Sequence, residues 1–238
     1  MKILALDSTA KAASVALCED GALLGEYTIN NGNTHSETIL PMAESLLKHF
    51  DLTPKDIDVF AVSAGPGSFT GVRIGVATVK GLAFGSGKPC IGVSTLEALA
   101  KNPAIPNGLI CPVMNARRNQ VYTALFRSKD GVLERLMPDS AIAIAELDQI
   151  LKEYNEPVTL CGDGYEITES LLTHPILPLA ERLRHQSAFN VALCAMEAIE
   201  RGENTTDIEL SPTYLRLSQA ERERKEREAQ QNSLNNII

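Results

Sequence analysis

Short apolar runs broken by turn residues fill the first hundred positions. Ile3 to Leu6, Ser14 to Cys18 and Ala22 to Ile29 read as strands, the last two joined by Glu19-Asp20-Gly21, whose Asp-Gly pair is a hairpin turn. Asn30-Asn31-Gly32-Asn33 breaks the pattern. Thr34 followed three residues on by Glu37 has capping-box spacing, so a helix is expected from His35 to Phe50. Its period turns Ile39, Met42, Ala43, Leu46 and Phe50 inward and leaves Leu40 and Leu47 outside, beside Glu44. Pro54 starts a helical turn, Val59 to Ser63 is a fourth strand, and a second helix follows to about Phe84. Cys90 to Val93 is a fifth strand, and Ser94 caps a helix carrying Leu96 and Leu99.

Beyond the linker from Asn102 to Gly108 the order restarts. Leu109 to Met114, Val121 to Arg127 and Val132 to Met137 are strands, with Asp130-Gly131 at the matching hairpin. A helix from Ile144 to Glu153 and a strand from Val158 to Cys161 follow. A helix from Ala188 to Arg201 is expected to close this second half, and Ser211 to Arg216 reads as extended. The fold class is therefore α/β, with two tandem ribonuclease H-like β-β-β-α-β-α subdomains. That is the build of the actin-like ASKHA (sugar kinase, Hsp70, actin) group, whose members hold nucleotide between the halves. The expected division is 1–101, 102–218 and a polar tail, 219–238, with no buriable face.

The second helix breaks the usual amphipathic rule. From Thr70 to Phe84 its only charges are Arg73 and Lys80; Val72, Val76, Val79 and Ala83 form one face, and Ile74, Ala77, Thr78 and Gly81 another. One face covers the parental sheet. The other needs a second cover, either another polypeptide or the chain's own second half.

Composition narrows the function classes. The chain has 238 residues, 44% hydrophobic, with 30 acidic against 22 basic residues and a formal charge of -8, which suits a packed globular protein and disfavours a stand-alone nucleic-acid binder. A local basic patch at Arg182, Arg184 and His185 is the exception. Cys18, Cys90, Cys111, Cys161 and Cys194 are odd in number and unpaired by spacing, so they read as reduced core thiols. With no signal h-region or membrane-length apolar run, a cytoplasmic protein is expected. His35, His49, His174 and His185 have no metal-ligand spacing and read as surface or capping residues, and no hydrolase elbow is present.

Two places could hold phosphate. Gly65-Pro66-Gly67-Ser68-Phe69-Thr70-Gly71 joins a strand to a helix but fits neither dinucleotide nor P-loop spacing, leaving an anion loop and a packing loop both open, with Gly71 and Gly75 suited to a close backbone approach. Asp7-Ser8-Thr9 lies where an actin-like phosphate hairpin would be. Its counterpart, Asn115-Ala116-Arg117, lacks the second carboxylate and the glycines, so independent ATP hydrolysis is not expected.

These words together, Ile3-Leu4-Ala5-Leu6-Asp7-Ser8-Thr9, His35-Ser36-Glu37, Ser63 to Gly75 and Gly92-Val93-Ser94-Thr95-Leu96, resemble the bacterial TsaB family, also called YeaZ. The resemblance is dense over residues 1–100 and thinner beyond, where Ala116-Arg117-Arg118 and Val121-Tyr122 still fit. It implies a non-catalytic scaffold subunit for threonylcarbamoylation of tRNA adenosine 37. Such subunits pair with the transferase TsaD through the first two long helices, help recruit the ATPase TsaE, form homodimers when isolated and reach tRNA only through the complex. The implied interface is His35, Leu40, Glu44, Leu47, Thr70, Arg73, Ile74, Ala77, Thr78 and Gly81; Asp7, Ser8, Gly65 and Gly67 would be a vestigial nucleotide site. Thr95 and Leu99 stand where TsaD has metal-binding histidines, so no metal is implied. Nor is a cofactor, with nucleotide at the TsaD junction left open. The alternative is an actin-like ATPase or kinase, or a peptidase-like enzyme, working through Asp7 and the Gly65–Gly71 loop.

Overall fold

The computed structural model describes residues 1–30, 34–203 and 205–216; the expected tail from 219 lies outside them. The first half contains β1 (Lys2–Asp7), β2 (Ala13–Glu19), β3 (Ala22–Ile29), α1 (His35–His49), β4 (Val59–Gly65), α2 (Phe69–Ser86), β5 (Cys90–Ser94) and α3 (Thr95–Ala100). The second contains β6 (Gly108–Asn115), β7 (Gln120–Lys129), β8 (Val132–Ala143), α4 (Ile144–Leu151), β9 (Val158–Cys161), α5 (Tyr165–Leu171), β10 (Ile176–Leu177) and α6 (Ala188–Glu200).

The sheets run β3-β2-β1-β4-β5 and β10-β9-β6-β7-β8, so the second order reversed repeats the first element for element. In each, the opening hairpins are antiparallel and the strands after the first crossover helix join in parallel. This duplication is the actin-like α/β architecture the pattern of runs predicts. Two elements escaped that reading, α5 and β10, which are seven and two residues long and too short to carry a period. The strand β8 runs past its expected end at Met137, through Pro138, because it lies at a sheet edge where a missing N–H costs no ladder bond.

Alternation sorts the first sheet into two faces. Leu4, Leu6, Val15, Leu17, Phe60 and Val62 point to α1 and α2, which return Ile39, Leu46, Val72, Val76 and Val79. Each such buried aliphatic side chain is worth about 1.5–3 kcal/mol. Ile3, Ala5, Ala16, Cys18, Val59 and Ala61 point to the other side, where Val191, Ala192, Ala195 and Ala198 of α6 cover them. The expectation that α6 closes the second half is thus corrected: its small residues fit the small side chains of β1, β2 and β4. Conversely, α3 sends Leu96, Leu99 and Ala100 into the core of the second sheet with Leu109, Phe126 and Leu160. The last helix of each half covers the sheet of the other.

After α6 the chain returns to the first half. Thr205 bridges Cys90, Leu210 is buried beside α2, and the Thr213 amide donates to the Ala64 carbonyl at 2.7 Å. All five cysteines are buried and unpaired, as their spacing predicts; burial pushes the Cys111 thiol up to about 12.

Candidate functional site

The strand β1 delivers Asp7 to the corner where a phosphate hairpin is expected. The side chain is 1% exposed and fully engaged: it accepts from the Ser63 hydroxyl at 2.5 Å, the Thr9 amide at 2.9 Å and the Thr9 hydroxyl at 2.7 Å. Burial pushes its pKa above the usual carboxylate value, against the pull of those bonds. The Ser8 hydroxyl donates to the Gly71 carbonyl at 2.9 Å, and the Ser68 amide to the Thr9 carbonyl at 2.7 Å. A Cβ on Gly71 would overlap the Ser8 carbonyl oxygen, and one on Gly67 would lie 2.6 Å from the Thr9 carbonyl oxygen. The start of α2 is therefore pressed onto the β1–β2 hairpin, as the packing reading of the glycine loop expects, while Pro66 to Thr70 also face the cleft between the halves. Gly65, at φ +118°, is roofed by Thr213. Asp7, Ser8, Gly65 and Gly67 are brought together, but closed over one another.

The counterpart corner is open. The end of β6 carries Asn115, whose amide donates to Asp163 at 3.2 Å; burial raises that carboxyl's pKa. Gly162 and Gly164 flank it on the turn from β9 to α5. The carboxylate and glycines that Asn115-Ala116-Arg117 lacks thus come from a later segment. The signal was present in Cys161-Gly162-Asp163-Gly164, which mirrors Gly65-Pro66-Gly67 after β4. Between the halves lies a cleft of about 550 Å³ walled by Thr9 to Lys11, Pro66 to Thr70, Met114 to Arg117, Tyr122, Asp163 and Thr213 to Arg216.

The third feature is the outer face of α1 and α2. Leu40, Glu44, Ala77 and Gly81 are exposed, Thr78 and Ile74 are half-buried, and Phe84 is 79% exposed. Nothing lies within 4 Å of a Cβ built on Gly81. Four expected members of this face sit differently. Leu47 is buried while Phe50 is 39% exposed, because Phe50, at φ -109°, has left the helical spiral that would have turned it inward. His35 turns toward the β1–β2 loop, with Nε2 2.6 Å from the Ala10 carbonyl. Arg73 is held by the chain itself: it stacks 3.9 Å over the Phe69 ring and donates from Nε to the Tyr214 hydroxyl at 2.8 Å. Thr70 is exposed, but on the cleft wall. The returning segment also takes Lys80, whose Nζ donates to the Leu210 carbonyl at 3.0 Å, so the chain's own second half covers one flank of α2 and leaves the rest.

Three smaller expectations change. Thr34 is the N-cap of α1, but its side chain makes no capping bond. His174 is 7% exposed, with Nε2 3.0 Å from the Glu156 carbonyl, so it is a core residue. The basic patch loses Arg184, which lies 3.5 Å over the Tyr165 ring and donates to the Leu179 carbonyl at 2.9 Å. Thr95 and Leu99 are buried in α3. Among the described residues no helix is long and apolar enough to cross a membrane, and no three potential metal ligands cluster.

Residues 23–223 match the family model described as TsaD, tRNA N6-adenosine threonylcarbamoyltransferase. The chain is 35% identical over 222 residues to a tRNA threonylcarbamoyladenosine biosynthesis protein TsaB of Bacillus subtilis, covering 93% of this chain and 96% of the relative. It is 30% identical over 220 residues to the Escherichia coli protein of that name, covering 91% and 95%. A solved structure of YeaZ from Pseudomonas aeruginosa superposes with a TM-score of 0.78 at 28% identity, over 90% of this chain and 99% of that one.

Proposed function

Because this chain belongs to the TsaB (YeaZ) family, we propose that it acts in tRNA threonylcarbamoyladenosine biosynthesis as a non-catalytic scaffold. In this reading it pairs with the transferase TsaD across the α1–α2 face, helps recruit the ATPase TsaE and reaches tRNA only through that complex. When isolated, it pairs with a second copy through the same face.

The observation that carries the reading is the small and apolar outer row of α2, Ala77, Gly81 and Phe84, which is exposed, as is Leu40 on the contacting helix α1. Surface helices keep polar residues there; small ones let a partner helix come close, and isolated large apolar ones supply anchors. The enzyme alternative meets an obstacle at Asp7. A carboxylate that orients a metal needs lone pairs facing the ligand, and here the Asp7 side chain is 1% exposed and accepts three hydrogen bonds from Ser63 and Thr9.

Ala77→Arg and Gly81→Arg test the docking face, since both sites are exposed. Each is expected to abolish co-purification with TsaD while the isolated chain stays folded, read as an unchanged far-UV circular dichroism spectrum. An undiminished complex in both variants would overturn the reading. Nucleotide hydrolysis by the purified chain alone would overturn its non-catalytic part.

A further inference from the structure

Ile208 and Phe84, 84% and 79% exposed, are the large apolar side chains most open to solvent among the described residues. They lie in different halves of the sequence yet adjoin on one flank of α2. Ala77, Lys80 and Phe84 are spaced by three and four residues and so share a stripe of that helix. The Lys80 ammonium donates to the Ile208 carbonyl at 3.4 Å and to the Leu210 carbonyl at 3.0 Å, which sets the turn of residues 206–209 beside the row that ends in Phe84.

Single exposed aliphatic side chains are common on protein surfaces. This one is mounted. The Thr206 amide and hydroxyl donate to the Glu209 carboxylate at 3.1 and 3.0 Å, the Glu209 amide donates back to the Thr206 hydroxyl at 3.3 Å, and the Leu210 amide closes the turn on the Thr206 carbonyl at 3.0 Å. On one side Thr205 bridges Cys90, and on the other Leu210 is buried in the layer of α2. Turns favour polar residues, so chain reversal alone does not call for isoleucine here. A side chain held outward by a turn fixed at both ends loses little freedom on binding, which suits an anchor.

The charges around it define the kind of partner. Asp207 and Glu209 flank Ile208, and Arg201 and Glu203, which lead into the turn, neutralise each other at 2.7 Å. With Lys80 counted, two carboxylates against one ammonium leave the turn acidic, on a chain whose formal charge is -8. A partner with basic residues around an apolar pocket gains from that field, whereas a second copy of this chain brings acids of the same sign. We propose that the 206–209 turn chooses between partners on the docking face: Ile208 and Phe84 enter an apolar pocket with a basic rim on TsaD, and Asp207 and Glu209 disfavour a second copy of this chain. This choice rests on the docking reading above and carries that surface onto a segment outside α1 and α2.

Titration calorimetry of the full chain against TsaD, beside sedimentation equilibrium of the chain alone, tests it with Ile208→Ser, Asp207→Lys and Ala77→Arg, each with an unchanged far-UV circular dichroism spectrum. Ile208→Ser should weaken the TsaD complex about tenfold or more and shift homodimer dissociation by less than about twofold. Asp207→Lys should weaken the TsaD complex and tighten the homodimer, each by about threefold, with both effects fading at high salt. Ala77→Arg, in the shared row, should abolish both complexes. A TsaD complex that resists Ile208→Ser while Ala77→Arg abolishes it would overturn the role of the turn and leave the docking face standing; resistance to both variants would overturn both. Equal weakening of the two complexes by Ile208→Ser, or Asp207→Lys moving them in the same direction, would overturn the selection. So would a chain that stays monomeric at every concentration, since there would be no rival to exclude.

Discussion

The two halves meet the same topological corner with opposite solutions. Where β1 ends, Asp7 is buried, saturated with hydrogen bonds and capped by the start of an 18-residue helix, α2. Where β6 ends, Asn115 is exposed, the following residues are held left-handed, and the corresponding helix, α5, has only seven residues. One corner has been turned into a packing joint that supports a long external helix, and the other has kept its space. Duplication supplied the frame twice; in the first copy the tight approaches, at Gly67, Gly71 and Gly75, press α2 onto the β1–β2 hairpin, and in the second the tight approach is between Gly162 and the Val113 carbonyl.

The sharpest way to break that contrast is to add a methyl group to each corner. Gly71→Ala must push apart the Ser8 carbonyl and α2, and should cost more than about 3 kcal/mol in urea unfolding. Gly164→Ala meets the Val113 carbonyl oxygen at 3.0 Å and the Asn115 nitrogen and Met114 carbonyl carbon at 3.1 Å, from a backbone at φ -89° that alanine tolerates, and should cost less, about 1–3 kcal/mol. Equal losses would mean that the corners are packed alike. Next in size is Asp7→Ala, which leaves the Ser63 hydroxyl and the Thr9 amide and hydroxyl without their acceptor and should destabilise by about 2–4 kcal/mol.

Two buried carboxylates, one in each half, also titrate in opposite senses. Desolvation wins at Asp7 and raises its pKa, so its ionisation opposes folding: that contribution is present below the unfolded value of 3.8 and is lost as pH rises through the folded pKa. At Asp148 desolvation pushes the same way but is outweighed. Lys152 at 2.7 Å, the Thr173 hydroxyl and amide, and the His174 amide hold its pKa far below 3.8. Its stabilisation is present above 3.8 and is lost as pH falls through the folded value. Asp148→Asn should therefore cost about 2 kcal/mol at neutral pH, with the gap to the native chain closing as denaturation is repeated below pH 3.8. A gap that holds constant with pH would remove the electrostatic explanation.

The smallest effect lies on α2 itself. Gly81→Ala has open space and a helix-interior position, and should stabilise the isolated chain by about 0.5–1 kcal/mol in thermal melts. Set beside Gly71→Ala, it separates glycines kept for a contact inside this chain from one that no internal contact requires.

Most of the frame was legible because strands of four or more apolar residues and helices of three or more turns leave a period. Ile3 to Leu6, Val59 to Ser63 and Val158 to Cys161 fall within β1, β4 and β9. What was illegible came from contacts distant in sequence. Nothing in Ala188 to Glu200 says which sheet it will cover; only the facing alanines and Cys18 of the first sheet show that it fits there. The inward stripe of α1 erred at Phe50 because a period cannot register where the helix stops. At the open corner, Arg117 and Arg118, held at positive φ, have no compositional mark, since glycine is the residue that announces such backbone.

The reciprocal covering by α3 and α6 has a consequence for how the chain is made. A nascent polypeptide that has completed β5 holds every strand of its first sheet, yet Ile3, Ala5, Ala16 and Ala61 have no lid until Ala188 and beyond are translated. A layer made before the second sheet is thus finished by a segment translated after it. A message truncated before that point would leave a greasy plate exposed, a substrate for chaperones and proteases rather than a half-sized working unit.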